Sequence, residues 1–215
     1  MAENTRTIVF DFDGVIIPSE EIKIEGYSLI FSEFGEEVPE RAIEEARREF
    51  VDAKGDRYDI IRSIFKRTGR EGDIEKAVAE YAERYGAIVK KRIMALRVEE
   101  QVRTTLGNLA KRFPLYINSN NPDEFLRGLL RTLGVEVFFK GIYGSSHTKL
   151  ENLQAIAREE DLKPEEIIFV GDGEGDRTAA EDFGCEFIGI ATSLNGWSET
   201  DSFRVIISLS ELETT

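Results

Sequence analysis

The sequence predicts an α/β protein, a parallel sheet covered by helices on both faces and interrupted by an all-helical subdomain. Three observations predict it. Short apolar or β-branched runs bounded by Gly, Pro, Asn or Asp fall at residues 6–10, 114–118, 138–143, 166–170, 185–190 and 203–207, the pattern of buried strands. Helical patterns separate most of the later runs, at Glu124 to Leu133, His147 to Glu160 and Glu174 to Phe183, and strands that alternate with helices build parallel sheets. From residue 17 to about residue 94 this rhythm stops, and only amphipathic helical stretches remain.

The first strand, Thr7-Ile8-Val9-Phe10, runs straight into Asp11-Phe12-Asp13-Gly14. Ligands of open α/β sheets bind beyond the carboxyl ends of the strands, so these aspartates stand where chemistry is usually done. Two carboxylates this close are costly to hold together without a cation or a shared proton. Four helical stretches follow, at Glu20 to Phe34, Pro39 to Val51, Tyr58 to Arg67 and Ile74 to Met94. Pro39 suits a helix start, and Gly35, Gly69 and Gly72 punctuate the boundaries. A helical block placed directly after the first strand is expected to be an inserted subdomain, residues 17–94, within a core of residues 1–16 and 95–215. At the carboxyl edge of the sheet it would cover the site as a lid.

Three further polar elements follow in order. Leu115-Tyr116-Ile117-Asn118 leads into Ser119-Asn120-Asn121, and Pro122-Asp123-Glu124 begins a helix. A hydroxyl and free amides at a helix N-terminus suit phosphate oxygens, and they equally suit plain N-capping. Lys149 sits near the start of the next helix, where it opposes the dipole. Taken alone it reads as solvated surface; pointed into a site of aspartates and phosphate it would neutralise charge. Ile167-Ile168-Phe169-Val170 ends in Gly171-Asp172-Gly173-Glu174-Gly175-Asp176. Three acidic residues in that loop would repel a pyrophosphate unless a divalent cation intervened, and hard carboxylate oxygens without His or Cys point to Mg²⁺ rather than Zn²⁺.

Composition narrows the partners. A net charge of −14 over 215 residues and a pI near 4.7 argue against nucleic acid, whose backbone demands a basic face. No apolar run approaches a membrane span, and Met1 to Arg6 lacks a signal-peptide pattern, so a cytoplasmic protein without a membrane partner is expected. The single cysteine, Cys185, lies in an apolar stretch and reads as core filler. Oligomeric state leaves no mark in the sequence.

Asp11-Phe12-Asp13-Gly14-Val15, Ser119, Lys149 and Gly171-Asp172 with Asp176 together resemble the four motifs of the haloacid dehalogenase (HAD) superfamily. The resemblance covers nearly the whole chain, including a helical cap of the type found in phosphoglycolate phosphatase and β-phosphoglucomutase relatives. It implies a Rossmann-like core and a Mg²⁺-dependent phosphatase acting on a small phosphorylated metabolite. Asp11 would be the nucleophile that forms an aspartyl-phosphate, and Asp13 would protonate the leaving oxygen and then activate water. Asp11, the Asp13 carbonyl, Asp172 and Asp176 would hold the metal. Ser119, the Asn120 amide and Lys149 would grip the phosphoryl oxygens.

Gly173 stands where many relatives have Ser or Thr, and Leu150 where they often have Pro. His147, the only histidine, reads as a loop or helix-cap residue, because the aspartates already supply acid and base. In the helical block, the segment Ala53 to Tyr58 reads either as a solvated interhelical turn or as a substrate-selecting loop in which Lys54 and Arg57 offer cationic donors. Three rivals remain. A dehalogenase would lack Asp13, and a non-catalytic binding module would predict decay of the motifs. A β-phosphoglucomutase-like mutase would carry a histidine in the first cap helix, where this chain has Lys23.

Overall fold

The computed structural model describes residues 5–51, 55–70 and 72–213. Six strands, β1 (Thr7–Phe10), β2 (Leu115–Asn118), β3 (Gly141–Tyr143), β4 (Ile167–Gly171), β5 (Glu186–Ile190) and β6 (Arg204–Ile206), form one sheet in the order β3-β2-β1-β4-β5-β6. Every pairing is parallel. That order is Rossmann-like, and its direction of winding reverses at β1, between β2 and β4.

Apolar strand residues explain the layering. Val9, Tyr116, Ile167 and Phe169 pack against Leu153, Ile156 and Ala157 of α7 (Lys149–Glu160) and Ala179 and Ala180 of α8 (Glu174–Phe183). Strand alternation sends Ile8, Phe10, Leu115, Ile117, Ile168 and Val170 to the opposite face, where they too are buried. Each such side chain contributes about 1.5–3 kcal/mol on burial, enough to hold β1 in place with carboxylates at its end. Cys185 packs against the cluster on the first face, and burial pushes its thiol up to about 12.

The chain divides into two compact units. One holds the residues up to Pro18 and from Leu96 onward, and the other is Ser19–Ala95. The second unit consists of α1 (Ser19–Glu33), α2 (Glu40–Val51), α3 (Arg57–Arg67) and α4 (Glu75–Met94), with no strand among its described residues. Phe31, Phe65 and Tyr81 meet edge to face at 5.0–5.4 Å in its interior. Tyr27 stacks on Tyr85 at 4.3 Å. Gly26 lets α1 approach Tyr85 and Val89 of α4. Asp56 starts α3 with a reciprocal capping box to Asp59.

Two details depart from the sequence reading. The run at 138–143 is a strand only from Gly141; Glu136–Phe138 form a 3-10 turn instead. β2 is four residues long, so β3 finds partners only from Tyr116 to Asn118. Phe139 is used instead to meet Phe10 edge-on at 6.4 Å. An extra helix, α5 (Glu100–Leu109), buries Leu106 and Leu109 through a stripe too narrow to stand out in a polar segment. The remaining helix, α6 (Asp123–Thr132), follows β2.

Candidate active site

The site forms where the carboxyl ends of β1, β2 and β4 meet. Asp11 extends β1 by one residue, its amide donating to the Val170 carbonyl at 2.8 Å. The chain then folds back in a tight turn, with the Gly14 amide donating to the Ile17 carbonyl at 2.8 Å. Gly14 has φ +73°, and a Cβ there would overlap the Asp172 carboxylate, so glycine lets β4's loop close on β1's turn. The same holds one step earlier on β4, where a Cβ on Gly171 would strike the Asp176 side chain.

Asp172 is partly buried and Asp176 is buried. The Gly173 amide donates to Asp176 Oδ2 at 3.1 Å, which fixes this carboxylate in the first turn of α8. Carboxylate oxygens of Asp11, Asp172 and Asp176 lie within 4.8 Å of one another. An all-carboxylate donor set of this kind fits a hard divalent cation.

Lys149 is the first residue of α7 and is not solvated surface: its side chain is 10% exposed. Its Nζ lies 3.0 Å from Asp11 Oδ1 and also pairs with Asp176. Three contacts fix its backbone. Thr148 caps α7 in a reciprocal box with Glu151, Asn118 Nδ2 donates to the Lys149 carbonyl at 2.9 Å, and Asn152 donates to Asn118 Oδ1 at 2.9 Å. The capping box starts the helix at a place where the sequence offers Leu150 and no proline. His147 is exposed in the preceding turn.

Charge at the site is unbalanced. Burial pushes the Asp11 carboxyl well above the ordinary carboxylate range; Lys149 opposes this, and Asp176 and Asp13 add to it. For Lys149, burial works against the charge, but Asp11 and Asp176 outweigh it and hold the ammonium above its usual range. Among the described residues, Lys149 faces several acids here. A bound divalent cation would offset that surplus.

Ser119, buried at the end of β2, donates its amide to the Tyr143 carbonyl at 3.0 Å. Asn120 is exposed, and its amide has no acceptor among the described residues. Asn121 Nδ2 donates to Asp13 Oδ2 at 2.7 Å and to Ser119 Oγ at 3.0 Å. The sequence reading stopped at the Asn120 amide and missed this side chain. It also missed Asn195, whose Nδ2 donates to the Asp172 carbonyl at 2.9 Å and to the Ile190 carbonyl at 2.8 Å, tying the loop after β5 to the acidic loop. Only adjacency hinted at the first, and nothing local hinted at the second.

The structure therefore brings Asp11, Asp13, Ser119, Lys149, Asp172 and Asp176 to one end of the sheet. Arg57 belongs to the helical unit, exposed at the start of α3 with its guanidinium 5.3 Å from the Tyr58 ring. Lys54 lies outside the described residues. No helix among the described residues is long and apolar enough to cross a membrane.

The sequence matches the model of the haloacid dehalogenase-like hydrolases over residues 8–190, from β1 to the end of β5. The chain belongs to this family. A relative, the phosphoglycolate phosphatase of Shigella boydii serotype 4 (strain Sb227), is 26% identical over 225 residues, covering 90% of this chain and 84% of the relative. A haloacid dehalogenase-like hydrolase from Streptococcus pneumoniae superposes with a TM-score of 0.74 at 21% identity, covering 98% of both chains. The HAD hydrolase YfnB of Bacillus subtilis, solved bound to magnesium, gives 0.75 at 19% identity over 99% of this chain and 98% of its own. At these identities the two structures establish a shared fold.

Proposed function

We propose that this hydrolase is a Mg²⁺-dependent phosphatase that cleaves a small phosphomonoester through an aspartyl-phosphate. One observation carries the reading: an acid-rich cluster around the buried Asp11, with Lys149 as its cation and Ser119 beside it, at the sheet's switch point. The relatives' activity as phosphoglycolate phosphatases supports the same reading.

Asp11 Oδ attacks phosphorus as the bond to the leaving oxygen breaks, giving a phosphoryl group on Asp11. Asp13 supplies the proton that the leaving oxygen takes up. It then removes a proton from the water that hydrolyses the acyl phosphate, which frees Asp11 and inorganic phosphate. Lys149 Nζ, the Ser119 hydroxyl and the Asn120 amide hold the phosphoryl oxygens as their charge redistributes. Mg²⁺, when bound by Asp11, the Asp13 carbonyl, Asp172 and Asp176, neutralises phosphoryl charge. Arg57 and Lys54 are the residues we assign to substrate selection.

The test is phosphate release from a panel of 2-phosphoglycolate, sugar phosphates and nucleoside monophosphates, with p-nitrophenyl phosphate as a generic ester. Metal-dependent release from at least one natural ester is expected, with no bisphosphate activator. Arg57→Ala should change the relative rates across the panel. Interconversion of β-glucose 1-phosphate and glucose 6-phosphate with little phosphate release would favour the mutase reading instead. No turnover of any ester would favour a binding module.

A further inference from the structure

Asn121 connects two of the groups assigned above. It stands between the end of β2 and the start of α6, and its carbonyl accepts from the Ser145 amide at 2.9 Å. Its neighbour Pro122 opens α6. A side chain on so constrained a backbone has little freedom to wander.

Its polar atoms are committed in a particular way. The two hydrogens on Nδ2 go to Asp13 Oδ2 at 2.7 Å and to Ser119 Oγ at 3.0 Å. Ser119 Oγ also accepts from the Asn121 backbone amide at 3.2 Å. A hydroxyl has two acceptor positions and one donor. With both positions filled by Asn121, the Ser119 hydrogen is left to donate, the polarity that a phosphoryl oxygen requires.

We infer that Asn121 is a positioning residue for Asp13, holding its carboxyl group in register with Ser119, whose own place is fixed by its amide's bond to the Tyr143 carbonyl. The inference rests on the phosphatase reading. Asn121 gives up no proton. It orients the group from which a proton passes to the leaving oxygen as the P–O bond breaks. A misplacement of about 1 Å in such a group costs on the order of 10²-fold, and general acid catalysis itself is worth about 10²–10⁴-fold.

Two esters separate this role from a merely structural one. p-Nitrophenolate departs as a stable anion and needs little protonation, whereas the alkoxide of an alkyl phosphate needs a proton. For Asn121→Ala, kcat/KM on the best alkyl phosphate of the panel should fall about 10- to 100-fold, and on p-nitrophenyl phosphate by less than about threefold. Asn121→Asp fills the same space without the donor and should show at least the same selective loss. Melting curves for both variants establish that they fold, and either one suffices for the comparison. An equal loss on the two esters, or full alkyl activity in Asn121→Asp, would overturn the inference and leave the phosphatase reading standing. A wild-type enzyme that cleaves only the aryl ester would also overturn it. A wild-type enzyme that cleaves neither would remove the phosphatase reading as well.

Discussion

In the helical unit, Arg92 of α4 reaches Glu25 of α1 at 2.6 Å, Arg84 reaches Glu33 at 2.6 Å, and Arg67 of α3 reaches Glu45 and Glu49 of α2 at 2.9 Å. At the carboxyl ends of β1 and β4, Lys149 faces Asp11 and Asp176 together, with Asp172 and Asp13 close by. Acids and bases in the first case are matched, exposed and screened, and such pairs typically contribute little. In the second they are mismatched and buried or partly buried, and burial pushes the Asp11 carboxyl well above the ordinary carboxylate range. A protein gains nothing in stability from a buried surplus of one sign. A surplus of this kind fits the divalent cation proposed for the site.

The sharpest way to break that comparison is to remove the nucleophile's charge. Asp11→Asn should lower turnover on the order of 10⁴-fold or more, because a carboxamide cannot displace an alkoxide from phosphorus. The protein should still fold and melt normally. An amide matches the carboxyl group in shape, and one acid fewer lessens the imbalance around Asp176. Unchanged phosphate release from folded Asp11→Asn, measured beside wild type, would remove Asp11 from the mechanism.

Metal removal comes next. Chelation with EDTA should silence the enzyme and Mg²⁺ should restore it, since the acids at Asp11, Asp172 and Asp176 lose their counter-charge together. Asp172→Ala should weaken Mg²⁺ binding at least about tenfold by titration calorimetry. Full activity after exhaustive chelation would rule out the metal-assisted mechanism. Arg62→Ala serves as the matched control: it breaks the 2.8 Å contact to Glu75 in the helical unit and should leave Mg²⁺ affinity unchanged.

Much of this contrast was legible in the sequence. A strand that ends in Asp-x-Asp-Gly announces its own polar terminus, because four apolar or β-branched residues give way at once to two carboxylates and a glycine. Asp172 and Asp176 were legible for the same reason at the end of β4. Lys149 was legible only through its place among the four motifs, since the first turn of a helix by itself says nothing about which way a long side chain points; its burial comes from the sheet order that sets β2 and β4 on either side of β1. Asn195 is harder still, because its contact with Asp172 spans 23 positions and depends on how the loop after β5 turns. Periodicity reports faces and ends, and it carries no record of contacts between loops.

The smallest effect separates two glycines with one conformation. Gly14 in the core and Gly35 in the helical unit both have φ +73°, so an added side chain strains each backbone alike, by about 1–2 kcal/mol. Their surroundings differ. A Cβ at Gly14 would overlap the Asp172 carboxylate, whereas one at Gly35 would meet nothing within 4 Å. Gly14→Ala should therefore lower the melting temperature and also displace Asp172, cutting Mg²⁺ affinity and turnover about tenfold or more. Gly35→Ala should lower the melting temperature by a similar amount and leave kcat and metal affinity within about twofold, since the strain stays in a turn between α1 and α2. Paired melting curves and Mg²⁺ titrations decide the matter. Equal loss of metal affinity in both variants would mean that general destabilisation, and not the approach of Asp172 to a glycine, governs the site.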